Sequence, residues 1–158
     1  MNERGGGADL WVTRRHSISE PWGKPVNLGP NINSAYQDAR SRLSADGLFL
    51  SFDSQRPGGY GQGDLYMMRR ATLSSPWGPP VNLGPIVNTP AFEECACMSP
   101  DGSTLYFDSG RPGGYGGHDI WQVRIIALGS DSDPNNHTGS GAELKGRNSG
   151  KDVRCRKH

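Results

Sequence analysis

The chain has 158 residues, a formal charge of +1, 33% apolar residues, 23 glycines and 12 prolines. A charge so close to zero gives no long-range field to favour nucleic acid or an anionic membrane, and no apolar run is long enough to cross a bilayer. The glycine and proline content suits short strands and tight turns rather than helices.

Residues 1–8 read as a flexible, polar, glycine-rich start without a signal-peptide pattern. From residue 9 the sequence becomes repetitive. Residues 9–63 recur without a gap as residues 64–118, and a third copy opens over residues 119–125. Asp9-Leu10-Trp11, Asp64-Leu65-Tyr66 and Asp119-Ile120-Trp121 mark a step of 55 residues. Such a period is the signature of a repeat architecture, in which one supersecondary unit stacks on the next.

Within each repeat the first strand is short, apolar and aromatic, at Leu10 to Val12 and Leu65 to Met68. A polar turn region then closes on Pro21-Trp22-Gly23 and Pro76-Trp77-Gly78. The next strands, Val26 to Gly29 and Val81 to Gly84, have proline on both sides. Proline lacks the N–H that an interior ladder position needs, so these are expected at sheet edges. Extended segments follow at Ala39 to Leu43 and Glu94 to Met98, with Ser41 and Leu43, or Ala96 and Met98, on one face. The Asp46-Gly47 and Asp101-Gly102 turns lead to return strands at Leu48 to Asp53 and Thr104 to Asp108, since Asp-Gly between extended runs marks a hairpin. The long loops Arg56 to Gly63 and Arg111 to His118 lead into the next repeat. The predicted fold is therefore all-β: four-stranded antiparallel meanders forming the blades of a β-propeller, in an incomplete array of about two blades.

The order Ser-Ala-Asp-Gly or Ser-Pro-Asp-Gly, then Phe-Asp-Ser, Arg-Pro-Gly-Gly-Tyr-Gly and Asp-(Leu/Ile)-(Trp/Tyr) resembles the TolB-like, WD-related bacterial propeller repeats. The longer form with Pro-Trp-Gly and Pro-Val-Asn-Leu-Gly-Pro is similar to arrays in large secreted or envelope proteins of planctomycete-type bacteria. The resemblance covers residues 9–124. It implies a β-propeller, a largely extracytoplasmic setting, and a binding or scaffolding module for protein or glycan with no family-wide catalytic set. A fragment of a propeller hydrolase or lyase is one alternative, and a structural remnant without independent activity is another. An incomplete array also has exposed edges, which favour self-association.

The glycine loops lack the dinucleotide fingerprint and the Gly-Lys-Ser/Thr ending of phosphate cradles. Gly58, Gly59, Gly113 and Gly114 are instead expected to permit sharp turns and close backbone approach. Asp64 and Asp119 are expected to cap these loops through backbone amides, with a calcium ion as the alternative. Arg56 and Arg111 are expected either to pair with Asp53 and Asp108 or to face a ligand. Trp22 and Trp77 are the candidate recognition aromatics, equally suited to packing between blades.

His16, His118, His137 and His158 form no ligand cluster in sequence. His118 stands where the first repeat has Gly63 and is expected to face solvent. Cys95 and Cys97 replace Arg40 and Arg42. Separated by one alanine in an extended segment, they share a face and are poorly placed for a disulfide. The adjacent Glu93 and Glu94 should face opposite ways, which weakens any acid/base pairing. No Gly-x-Ser-x-Gly elbow is present. Residues 126–158 are polar and of low complexity and read as a disordered tail.

Overall fold

A computed structural model describes residues 7–125. The expected tail and most of the flexible start lie outside the described residues. Among the described residues the protein is all-β, with antiparallel strands in three small sheets. The first sheet pairs β1 (Trp11–Val12) with β2 (Val26–Asn27). The second is a four-stranded meander of β3 (Asp38–Leu43), β4 (Phe49–Ser54), β5 (Asp64–Arg69) and β6 (Val81–Asn82) in that order. The third places β7 (Glu93–Met98), β8 (Thr104–Ser109) and β9 (Asp119–Arg124) side by side. The expected strand segments are therefore present, and β6 lies at a sheet edge as its flanking prolines require.

The 55-residue step is reproduced in the hydrogen bonding as well as in the letters. Asn33 bonds the Leu10 backbone on both sides, its Oδ1 accepting from Leu10 N–H at 2.8 Å and its Nδ2 donating to Leu10 C=O at 3.1 Å. Asn88 does the same for Leu65 at 2.8 and 3.0 Å. Each asparagine side chain thus completes the backbone pairing just beyond the short β1–β2 and β5–β6 ladders, where Leu28 and Leu83 N–H donate to the same two carbonyls. The two Asp-Gly turns also match: Ser44 and Ser99 bond Asp46 and Asp101, and Gly47 and Gly102 adopt φ of 71° and 73°.

The second sheet is covered on both faces, and the period-2 alternation of its strands shows how. Leu50, Phe52, Tyr66 and Met68 point to one side and pack with Leu10 and Ile32 from the first repeat. Leu65 and Met67 point to the other side and pack with Val87, Ala96, Leu105, Phe107 and Val123. Phe52, Leu65 and Phe107 are almost fully buried. Burial of each such side chain is worth about 1.5–3 kcal/mol. Emptying one of these sites, as in Phe52→Ala, is expected to cost about 3–5 kcal/mol.

β7 lies against β3, β4 and β5 together, which sets the third sheet face-on to the second. Ser51 Oγ crosses the gap to donate to Ala96 C=O at 3.0 Å. At the margin, Gly63 and Phe92 form a single parallel bridge. A Cβ at position 63 would press on the Phe92 ring, so the close approach needs glycine there.

One local feature departs from the expected alternation. β3 and β7 each carry a bulge, where the register to the partner strand shifts between Ala39 and Arg42 and between Glu94 and Cys97. The bulged residues Arg40 and Cys95 sit at φ of 48° and 55°, a left-handed conformation disfavoured for any residue with a Cβ. Strict alternation therefore does not run through Cys95 to Cys97, and the shared face expected for them does not follow from strand geometry.

Candidate functional site

The glycine loops are closed by carboxylates. Asp64 accepts from the N–H groups of Tyr60 and Gly61 at 2.7 and 3.0 Å and from Asn82 Nδ2 at 2.8 Å. Asp119 accepts from the N–H groups of Tyr115 and Gly116 at 2.9 and 3.1 Å. Gly58 and Gly113 turn the chain at φ of 89° and 98°. A Cβ on Gly59 or Gly114 would run into the capping carboxylate. The groups facing these aspartates are N–H donors, where a calcium shell is built from oxygens.

Arg56 and Arg111 pair with residues other than the expected Asp53 and Asp108. Arg56 donates to Asp38 at 2.7 Å, Ser54 Oγ at 2.8 Å and Ile32 C=O at 2.8 Å. Arg111 bonds Ser109 Oγ at 2.9 Å, Ile86 C=O at 3.3 Å and Val87 C=O, with Glu93 at 3.5 Å. The reason lies in strand alternation. Each guanidinium lies over the aromatic ring two residues before its serine partner: Arg56 over Phe52 and Tyr66, Arg111 over Phe107 and Trp121. Asp53 and Asp108 follow those rings in the strand and so face the opposite side. Burial lowers the Arg111 pKa despite the neighbouring Glu93. The tryptophans differ from one another. Trp77 packs on the core beneath Arg70, whereas Trp22 is 61% exposed with the Arg15 guanidinium 4.3 Å from its ring centroid.

A concentration of charge lies where the two repeats differ. Glu94 stands opposite Asp108 across the β7–β8 ladder; the corresponding pair in the first repeat is Ala39 opposite Asp53. His118 Nδ1 lies 3.1 Å from Asp108 Oδ1. Glu94, Asp108 and His118 each offer a ligand atom, and these atoms all lie within 4.8 Å of one another. Glu93 meanwhile faces away into the Arg111 site, as adjacent strand residues should. His118 is exposed as expected, but it belongs to a cluster that sequence spacing did not reveal.

Arg40 ties this cluster to the second sheet, with NH1 at 2.8 Å from Asp53 Oδ2 and 2.9 Å from Glu94 Oε2. Burial works against the Arg40 charge, but the two carboxylates outweigh it and its pKa is raised. For Asp53 burial prevails over Arg40 and its pKa is raised, and its second oxygen, Oδ1, is buried without a hydrogen-bond partner. Burial and Glu94 push up the Cys95 thiol, which argues against a reactive thiolate there. Strained backbone at Arg40 and Cys95, shifted ionisation of Arg40, Asp53 and Cys95, and a candidate ligand triad thus lie side by side where β3 meets β7.

A separate open cleft of about 400 Å³ lies beside Asp9, Asn27, Pro30 and Ser34. Asp9 is the first-repeat counterpart of Asp64, whose carboxylate holds a glycine loop.

Fold and site together define an all-β repeat protein of small, stacked antiparallel sheets. No protein-family model matches the chain, and no curated protein is significantly similar to it. Among the described residues no helix is long and apolar enough to cross a membrane.

Proposed function

We propose that this chain is a segment of β-propeller-type repeats, TolB-like in character, that acts as a non-catalytic module binding protein or glycan. The sheets split as two, four and three strands in step with the sequence repeat, as successive blades of such an array would. The observation that carries the functional reading is where the repeated polar side chains go. Asp64, Asn82, Asn88, Arg56 and Arg111 direct their hydrogen bonds to their own loops and strand ends. Residues so engaged build a scaffold and leave recognition to the surface.

On that surface Trp22 offers an aromatic plane, of the kind that recognises sugar rings or peptide side chains. Tyr115 and Ile120 are also well exposed. Among the described residues β9 has a ladder partner only on its β8 side, so its free edge supports self-association. A glycan array probed with the wild-type chain and with Trp22→Ala tests the reading. Selective retention of one glycan class, lost in the variant while its fold persists, is the expected result. Absence of binding together with turnover of a polysaccharide would favour the hydrolase or lyase alternative.

A further inference from the structure

We infer that Glu94, Asp108 and His118 form a binding site for a divalent transition-metal ion, with zinc as the best match, installed in only one of the two repeats. The inference stands apart from the binding-module reading and would survive its failure.

Electrostatics favour a cation at this place. Glu94 and Asp108 are directly opposite on neighbouring antiparallel strands, and like charges in that register repel. Arg40 answers part of this charge through Glu94, but it is shared with Asp53. Asp53 and Glu94 therefore share one guanidinium, and Asp53 Oδ1 is left buried with no hydrogen-bond partner. A cation between Glu94 and Asp108 turns the repulsion into attraction.

The first repeat serves as a built-in control. The positions of Glu94, Asp108 and His118 are held there by Ala39, Asp53 and Gly63. Two ligands have thus been added around one retained aspartate, from positions far apart in sequence. A third difference fits the same site. Gln55 of the first repeat becomes Gly110, and a Cβ at 110 would sit only 3.2 Å from His118 Nε2. The missing side chain makes room for the imidazole. At position 63, by contrast, Phe92 closes the space that an imidazole would need.

The donor set indicates the metal. Calcium and magnesium prefer all-oxygen shells, whereas an imidazole nitrogen with carboxylate oxygens suits zinc and its first-row neighbours. Ligands about 2.0–2.2 Å from zinc lie ~3.4 Å apart in a tetrahedron. Donors already within 4.8 Å reach that spacing by small side-chain rotations. Three protein ligands at a half-exposed site leave a coordination position for water or for a ligand atom.

Isothermal titration with zinc chloride, on full-length chain first stripped by chelator, tests the inference. One zinc per chain is expected, with affinity reduced more than roughly tenfold in both His118→Gly and Glu94→Gln. His118→Gly installs the first-repeat residue and Glu94→Gln keeps the side-chain shape, and circular dichroism checks that each still folds. Cobalt titration of the wild type supplies a readout independent of the variants. A visible d–d band from a nitrogen- and oxygen-ligated ion supports the site, and a thiolate-to-cobalt charge-transfer band contradicts it. Absence of zinc binding by the wild type, or unchanged binding by both folded variants, would overturn the proposal.

Discussion

Arg40 on β3 and Glu94 on β7 meet at 2.9 Å although they belong to different sheets and different repeats. The same guanidinium nitrogen holds Asp53 within its own sheet at 2.8 Å. A residue in a strained left-handed conformation is thus the electrostatic link between two successive units. A double-mutant cycle with Arg40→Ala and Glu94→Ala, run in chelator, should give a coupling of about 0.5–1 kcal/mol, modest because Arg40 is partly exposed. Purely additive losses would mean that the contact does not join the sheets.

Arg111 makes a stronger case, since its partner Glu93 is fully buried. Removing the guanidinium leaves a buried carboxylate without its cation and two loop carbonyls without a donor. Urea denaturation of Arg111→Ala should show a loss of about 3–5 kcal/mol. Arg111→Lys should recover only part of it, because an ammonium cannot reproduce the planar fork or the stacking on Phe107 and Trp121. A near-neutral Arg111→Ala would reopen the ligand-facing reading of this residue.

The glycines of the second long loop offer a matched comparison. A Cβ on Gly114 would collide with the Asp119 carboxylate, whereas one on Gly117 meets nothing within 4 Å. Gly114→Ala should therefore destabilise by about 1–3 kcal/mol through loss of the loop cap. Gly117→Ala should change stability by less than about 0.5 kcal/mol. Equal effects in thermal melts would show that the cap is not formed.

Asp101 allows a test by titration. The Ser99 hydroxyl, with Ser103 N–H and Oγ, holds its pKa down from 3.8 to about 2. A carboxylate depressed in the folded state favours folding above its ordinary pKa. That contribution fades as pH falls from 3.8 towards about 2. Carbon-detected NMR should place the Asp101 midpoint near the lower value, and Ser99→Ala should move it back upwards. A midpoint unchanged by Ser99→Ala would remove the hydroxyl as the cause.

Much of the fold was readable because its signals are local and occur twice. The prolines around Val26 and Val81 announced edge strands, and the Asp46-Gly47 and Asp101-Gly102 pairs announced hairpins. Nothing in the identity of Arg40 or Cys95 announces a left-handed bulge, since glycine is the usual occupant of that conformation. The partners of Arg56 and Arg111 were missed for a related reason. Closeness in sequence suggested Asp53 and Asp108, but alternation turns those carboxylates to the other face. The Glu94–Asp108–His118 cluster depends on strand register and a loop return, which spacing along the chain does not encode. Its available signal was the set of differences between the repeats, at positions 94, 110 and 118.

The fold rests on consecutive sheets, each built from the end of one repeat and the start of the next, that stack face to face. Nuclear Overhauser spectroscopy on the labelled chain addresses this directly. It should show side-chain contacts between Ser51 and Ala96 and between Leu65 and Leu105, with separate backbone ladders for β3–β6 and β7–β9. A backbone ladder joining β3 to β7 in one continuous sheet would contradict the account.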